Sequence, residues 1–412
     1  MKNSFAKIKS PLSFIFKLSN YQIITFALRL FLVIILCSHQ ITSVAQDSSR
    51  TRISLLTCSP GNELYSIFGH SALRVVDSNS VTDIVFNYGT FNFDDEGFYI
   101  KFIRGKLLYY VSTEGFEDFK FSYQAAGRGI TEQVLNFTPE EKLIVRQALI
   151  ENLKEENKYY QYDFFLDNCT TRLRDLIVKY KNPTPVLPSV KPQGMRFREA
   201  IHEYLDKGNQ QWSKWGIDVL LGARTDRVMT TSDQQFLPDN LMMALDSTRN
   251  VSVVSSTNNL YAFDSTANEG TGFTPMMAFG LLLALFIFLQ ILFSKKFPVL
   301  MAGLDGLLFF VTGLLGILLI FMWAGTDHSM TKDNYNLLWA WPTHILISFF
   351  INSNKKWVRK YFLVTAVGGL LTLCAWFFLP QQLNLSLLPF VILLVFRSLV
   401  RYKYDAAGPR SN

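Results

Sequence analysis

Cysteine is scarce in this chain, four among 412 residues, and none is spaced as a zinc ligand set. No glycine-rich phosphate loop and no internal repeat of useful period is present either, which excludes P-loop nucleotide chemistry and solenoid architectures. The net charge of +7 raises the question of nucleic acid, but its distribution removes it. Residues 46–272 hold 24 Lys and Arg against 29 Asp and Glu, a net of −5, so the basic excess lies elsewhere. Charge is missing altogether from Phe273 to Phe293, 21 consecutive positions. A run of that length is a membrane span rather than a buried core helix.

Four further apolar segments follow: Leu307–Ala324, Leu337–Ile351, Tyr361–Leu379 and Leu383–Phe396. Alternate loops and the tail carry Lys295, Lys296, Lys355, Lys356, Arg359, Lys360, Arg397, Arg401, Lys403 and Arg410, while the opposite loops carry only Lys332. That bias places the basic loops and the C-terminus in the cytoplasm and residues 46–272 outside it. At the other end, Lys2, Lys7, Lys9 and Lys17 lead into an apolar run from Leu30 to Cys37, and Ser43-Val44-Ala45 supplies small residues for cleavage. An uncleaved N-terminal anchor is the alternative to this secretory signal. Leu36 before Cys37 makes a poor lipid-attachment site.

The expected organisation is therefore a signal over 1–45, an exported domain over 46–245, a Ser/Thr/Asn-rich tether over 246–272, an all-α bundle of about five helices over 273–400, and a tail over 401–412. Within the exported part, Ile53–Thr57, Ser71–Val76, Asp83–Tyr88 and Val134–Phe137 read as short strands. Thr138-Pro139-Glu140-Glu141 is a capping box with proline at the first helical position, opening a helix to about Asn157. Prolines at 183, 185, 188 and 192 mark a break, and Phe197–Leu205 and Ile217–Leu221 follow as shorter helices. Antiparallel strands first and helices after give an α+β domain.

Cys169 is the best candidate for chemistry. Leu173, Leu176, Ile177 and Tyr180 recur at helical spacing behind it, and Asp167 or Asn168 is a natural N-cap. Cys169 thus falls in the first turn, where free N–H groups and the helix dipole favour a thiolate. His70 lies upstream on a strand and meets it only through the fold. Cys58 reads as a buried small apolar residue, as a disulfide partner of Cys169, or as an auxiliary thiol. The aromatics Tyr159, Tyr160, Tyr162, Phe164 and Phe165 read as core, or as core and lipid pocket together at a membrane face. Asp327 and His328 sit at the outer end of the second span, either as plain interface residues or as groups that help admit a substrate.

Gly69-His70-Ser71-Ala72-Leu73 followed by Asp167-Asn168-Cys169-Thr170 resembles the circularly permuted papain-like arrangement of lecithin:retinol acyltransferase-like proteins, whose histidine strand precedes the cysteine helix. A closer resemblance runs through Leu55 to Tyr65, Phe86-Asn87-Tyr88-Gly89-Thr90-Phe91, Lys101-Phe102-Ile103-Arg104-Gly105-Lys106 and the Cys169 segment. There the chain is similar to the Lnb-like family of Bacteroidetes, an exported domain fused to a C-terminal membrane bundle.

That resemblance implies lipoprotein N-acylation without a cofactor or metal, at the inner membrane with the catalytic domain in the periplasm. The partners implied are a phospholipid acyl donor and a diacylated lipoprotein acceptor, with no nucleic acid. Cys169 becomes the nucleophile, His70 its base, and the Cys169 N–H an oxyanion donor. Asn87, on the strand after that of His70, becomes either the group that orients the imidazole or a turn cap before Gly89. Arg104, Lys106, Arg128 and His328 become substrate-binding candidates, the cations toward a lipid phosphate, with plain solvated surface as the other reading. A Cys–His cell-wall amidase or peptidase is the competing enzyme. An envelope assembly module with a Cys58–Cys169 disulfide is the non-enzymatic alternative.

Overall fold

The computed structural model describes residues 50–262 and 272–404, so the expected signal lies outside the described residues. The exported part is built on a seven-stranded sheet in the order β6-β4-β3-β2-β1-β5-β7, every pairing antiparallel. Its strands are β1 Thr51–Cys58, β2 His70–Asp77, β3 Thr82–Thr90, β4 Leu108–Gly115, β5 Ile130–Leu135, β6 Tyr159–Gln161 and β7 Val254–Tyr261. Alternation along them fills two cores, as the two-residue period of a strand requires. Ile53, Leu55, Leu73, Val75, Phe86 and Tyr88 face one side. Leu56, Cys58, Ala72 and Val85 face the other.

Short helices α1 (Phe98–Ile103) and α2 (Phe116–Ala125) flank β4, and Phe116 and Phe119 of α2 close the smaller core. The larger core is covered by α3 (Pro139–Asn152), α4 (Cys169–Tyr180) and α7 (Pro238–Asp246), through Val145, Leu149, Leu173, Ile177, Leu241 and Leu245. The expected capping box is in place, with Thr138 Oγ1 accepting from the Glu141 N–H and Glu141 accepting from the Thr138 N–H. Helices α5 (Phe197–Lys207) and α6 (Gln211–Leu220) form a separate layer with Phe165 and Phe236 in its core.

Part of the expected tether is structure. Val254–Tyr261 is β7, an edge strand paired with β5 and largely exposed. Backbone pairing at a sheet edge requires no apolar side chains, so its Ser, Thr and Asn content, read as linker, is also that of a water-facing strand.

Among the described residues, four helices are long and apolar enough to cross a membrane: α8 (Pro275–Phe293), α9 (Pro298–Ala324), α11 (Lys356–Ala375) and α12 (Leu388–Tyr404), the last with the turn before it as a span over Leu385–Lys403. The third of the five apolar segments, Leu337–Ile351, is not a straight helix; it contains the end of a 3-10 turn at Tyr335–Leu338 and the five-residue helix α10 (His344–Ser348). Its backbone lies along a glycine face of α9. A Cβ on Gly316 would strike the Ala340 carbonyl, one on Gly313 the Ile345 N–H, and one on Gly306 would lie 3.5 Å from the Ser348 carbonyl. Irregular backbone survives at membrane depth where protein covers it, and these glycines let the segment bury itself.

The exported domain is seated on the bundle through α6 and the turn after it. Asn334 donates to the Val219 and Leu220 carbonyls, Gln381 to the Leu221 carbonyl, and the Gly222 N–H to the Met330 carbonyl.

Candidate functional site

Cys169 is the first residue of α4, and Asn168 caps the helix. Asn168 Oδ1 accepts from the Thr171 N–H at 2.9 Å, and Thr171 Oγ1 accepts from the Asn168 N–H at 2.8 Å. Asn168 is buried and its amide also donates to the carbonyls of Phe164 and Phe236, which ties the helix start to two neighbouring segments. The Ser71 and Thr170 hydroxyls, 3.1 Å apart, join β2 to α4 beside it.

His70 opens β2, opposite Cys58 of β1, with its imidazole near enough to the Cys169 thiol to lower it. Asn87 of β3 donates from Nδ2 to Glu114 Oε1 at 2.6 Å, which turns its oxygen to accept from His70 Nε2 at 3.1 Å. With Nε2 so engaged, Nδ1 is the nitrogen left to serve the thiol. Asn87 is therefore bonded to the imidazole and is not a turn cap.

Two glycines permit this approach. Gly69 precedes His70 at φ 77°, and a Cβ there would stand 2.7 Å from the Cys58 carbonyl. Gly89 lies at φ 92° in the irregular stretch of β3 between Asn87 and Thr90, and a Cβ would lie 3.8 Å from that of Cys169. Both positions need the left-handed region that glycine enters without cost.

The electrostatics favour charge separation within the pair. Burial pushes the Cys169 thiol up, but the charge and hydrogen bond of His70, the Ser71 N–H and the Thr170 hydroxyl together bring it from the ordinary 9.0 down to about 7. Burial pulls His70 down, yet Cys169 and the bond to Asn87 leave it above its ordinary 6.5. Cys58 behaves oppositely: buried in β1, it is pushed up to about 12 by desolvation, an inert thiol. Both cysteines are free, so the disulfide between them is not formed.

A cavity of ≈ 980 Å³ opens over Cys169, His70 and Asn87. Its walls are rich in aromatics, among them Tyr88, Phe91, Phe98, Phe102, Tyr109 and Tyr162. Arg128 and His328 line it; Arg104 and Lys106 do not, standing exposed on the α1 loop. Arg128 donates from Nε to the Ser59 carbonyl at 2.9 Å and lies over the Tyr123 ring, and its buried Nη2 has no acceptor among the described residues. His328 Nε2 lies 3.2 and 3.1 Å from the carbonyls of Phe102 and Ile103, so this membrane-loop residue closes the cavity from the bundle side. Glu114 escapes a reading of the sequence, because it meets Asn87 only through strand pairing.

Two family models match, one described as the Lnb N-terminal periplasmic domain over residues 40–192 and the other as the Lnb transmembrane domain over residues 266–406. The chain belongs to the Lnb-like family. Residues 40–192 thus correspond to the Lnb periplasmic domain and the helices within residues 266–406 to the Lnb transmembrane domain. No curated protein and no solved structure matches the chain. Among the described residues no group of His, Cys, Asp and Glu is arranged to hold a metal ion.

Proposed function

We propose that this Lnb-like protein is a lipoprotein N-acyltransferase that carries the acyl group on Cys169. The observation that supports it most is a thiol lowered to about 7 by its histidine, on the wall of a large aromatic cavity closed on one side by a loop of the membrane bundle. Nucleophile, oriented base and an apolar chamber at a bilayer are the parts that lipid acyl transfer needs.

In the first half-reaction the Cys169 thiolate adds to an ester carbonyl of a phospholipid, the acyl–oxygen bond breaks, and the departing lysolipid alkoxide takes the proton held by His70. The oxyanion is held by first-turn N–H groups of α4, which have no acceptor within the helix. In the second half-reaction the α-amine of a diacylglyceryl-cysteine adds to the thioester, gives a proton to His70, and leaves as the amide while the thiol is restored. Arg128, which lines the cavity, is assigned to the phosphate of the donor. The domain works in the periplasm, with the bundle in the inner membrane and the C-terminus in the cytoplasm.

The experiment is expression of wild type and Cys169→Ser in cells lacking lipoprotein N-acylation, with lipoprotein N-termini read by mass spectrometry. An added amide-linked acyl chain with the wild type alone is the expected result. Equal acylation by both removes Cys169 from the mechanism, and none with a well-expressed wild type transfers the proposal to a Cys–His hydrolase of the cell wall.

A further inference from the structure

The loop that carries α1 is unusually apolar on its open side. Tyr99 is 74 % exposed, Ile100 67 %, Phe102 50 % and Ile103 47 %, and Phe93 beside them is 67 % exposed. Such a patch on a periplasmic domain requires a cover. It is stiff, because Phe98 packs against Phe91, Phe93 and Phe102 with ring centroids 5.0–6.1 Å apart.

The same loop is bonded to the end of a membrane-crossing helix. Asp327, three residues beyond the end of α9, donates its N–H to the Arg104 carbonyl at 2.9 Å. His328 meets the carbonyls of Phe102 and Ile103, and a Cβ on Gly105 would stand 3.1 Å from the His328 nitrogen. The α1 patch therefore sits at the level where α9 leaves the bilayer. Lys101, Arg104 and Lys106 are exposed at this bundle-proximal end, and Asp94, Asp95 and Glu96 precede the helix. Cations beside exposed aromatic and aliphatic side chains are the composition of a segment lying in a headgroup layer.

Phe93, Tyr99 and Phe102 face two ways, being both exposed and part of the Cys169 cavity wall. We infer that the α1 loop, residues 91–107, is immersed in the periplasmic leaflet and forms a side entrance through which phospholipid acyl chains pass directly from the bilayer into the Cys169 cavity. This deepens the acyltransferase reading and rests on it for the identity of the cargo, but the immersion itself does not.

The test places a nitroxide at position 100 by Ile100→Cys in a full-length chain carrying Cys37→Ala, Cys169→Ser and Cys374→Ala, reconstituted in phosphatidylethanolamine–phosphatidylglycerol vesicles. Power saturation then compares relaxation by oxygen with relaxation by a water-soluble nickel chelate. Labels at Val81, in the β2–β3 turn, and at Ile291, on the exposed face of α8, supply the water and lipid references. Position 100 is expected to match Ile291, with oxygen the stronger relaxant. A match to Val81 overturns the immersion, and shielding from both relaxants that is relieved on dilution overturns it in favour of a second protein.

A second arm uses Ile100→Asp with Ile103→Asp, two residues outside the cavity wall. Acyl transfer from vesicle phospholipid is expected to fall at least tenfold while Cys169 alkylation by iodoacetamide keeps its rate; unchanged transfer overturns the entrance. If the wild type transfers no acyl group, the nitroxide arm still decides the surface, so the failure of the enzyme reading and the failure of this one are separable.

Discussion

At the scale of single residues, the Cys169–His70 pair makes a claim about pH. The thiol, at about 7, loses thiolate as pH falls through neutrality, and His70, held above its ordinary 6.5, loses its charge only above that value. Alkylation of Cys169 by iodoacetamide should therefore rise with pH through a midpoint near 7. His70→Ala removes the charge and hydrogen bond that lower the thiol but leaves its burial, so the midpoint should move to 9 or above. Thiolate at pH 7 then drops about fifty-fold, and the alkylation rate with it. A midpoint unmoved by His70→Ala would mean that the helix terminus alone sets the thiol.

Arg128 carries the second claim at this scale. If its guanidinium meets the donor phosphate, Arg128→Gln should raise KM for phospholipid about tenfold or more, the weight of a charge-assisted hydrogen bond, with kcat nearly kept. A loss confined to kcat would move Arg128 from binding to the orientation of the His70 region.

At the scale of elements, the helix that presents Cys169 depends on one side chain. Asn168→Ala removes the cap and strips the Phe164 and Phe236 carbonyls of a donor. The cap alone is worth about 1 kcal/mol and each unsatisfied buried group about 1–3 kcal/mol. A loss of about 3 kcal/mol or more is expected, seen as a lowered unfolding midpoint of the detergent-solubilised chain.

The glycine face of α9 makes a matching claim for the bundle. Gly313→Ala forces a methyl into the Ile345 backbone and should reduce folded yield in detergent, whereas Gly303→Ala, with open space at its Cβ, should not. Equal yields from the two would show that the Leu337–Ile351 segment is free to move off α9.

What the sequence reveals at this scale follows from how local each signal is. The capped start of α4, the Thr138 box and the bias of Lys and Arg across the spans are written within a few residues of where they act. Asn87 was readable as the neighbour of His70 because adjacent strands are consecutive; Glu114 was not, since its bond to Asn87 spans 27 positions and depends on the β3–β4 register. The Leu337–Ile351 segment has the composition of a helix, but glycines on another helix decide that it packs as irregular chain. β7 was hidden by its polarity.

At the scale of the whole molecule, the proposed chemistry belongs to one domain and is bounded by another, so the seam between them should act on lipid turnover without touching the thiol. Arg198 is fully buried at that seam, 2.9 Å from Asp226 and 2.8 Å from Asp218. Asp218 also accepts from His202 at 2.8 Å and from Asn384 of the membrane part at 2.8 Å. Next to it Gly222 lies against Lys332 so closely that a Cβ would overlap the Lys332 carbonyl. Arg198→Leu leaves two buried carboxylates without their cation, a change that costs about 3–5 kcal/mol where such pairs have been broken, and it should unfold the α5–α6 layer. Gly222→Ala is the finer instrument, because it pushes on the seam alone. It should tilt the α1 loop and His328 relative to each other, and so reduce acyl transfer from bilayer phospholipid. Cys169, whose thiol is set within β2 and α4, should keep its alkylation midpoint near 7. A midpoint that shifts together with transfer would mean that the bundle holds the catalytic pair itself in place, and that the two domains form one catalytic unit instead of a site and its gate.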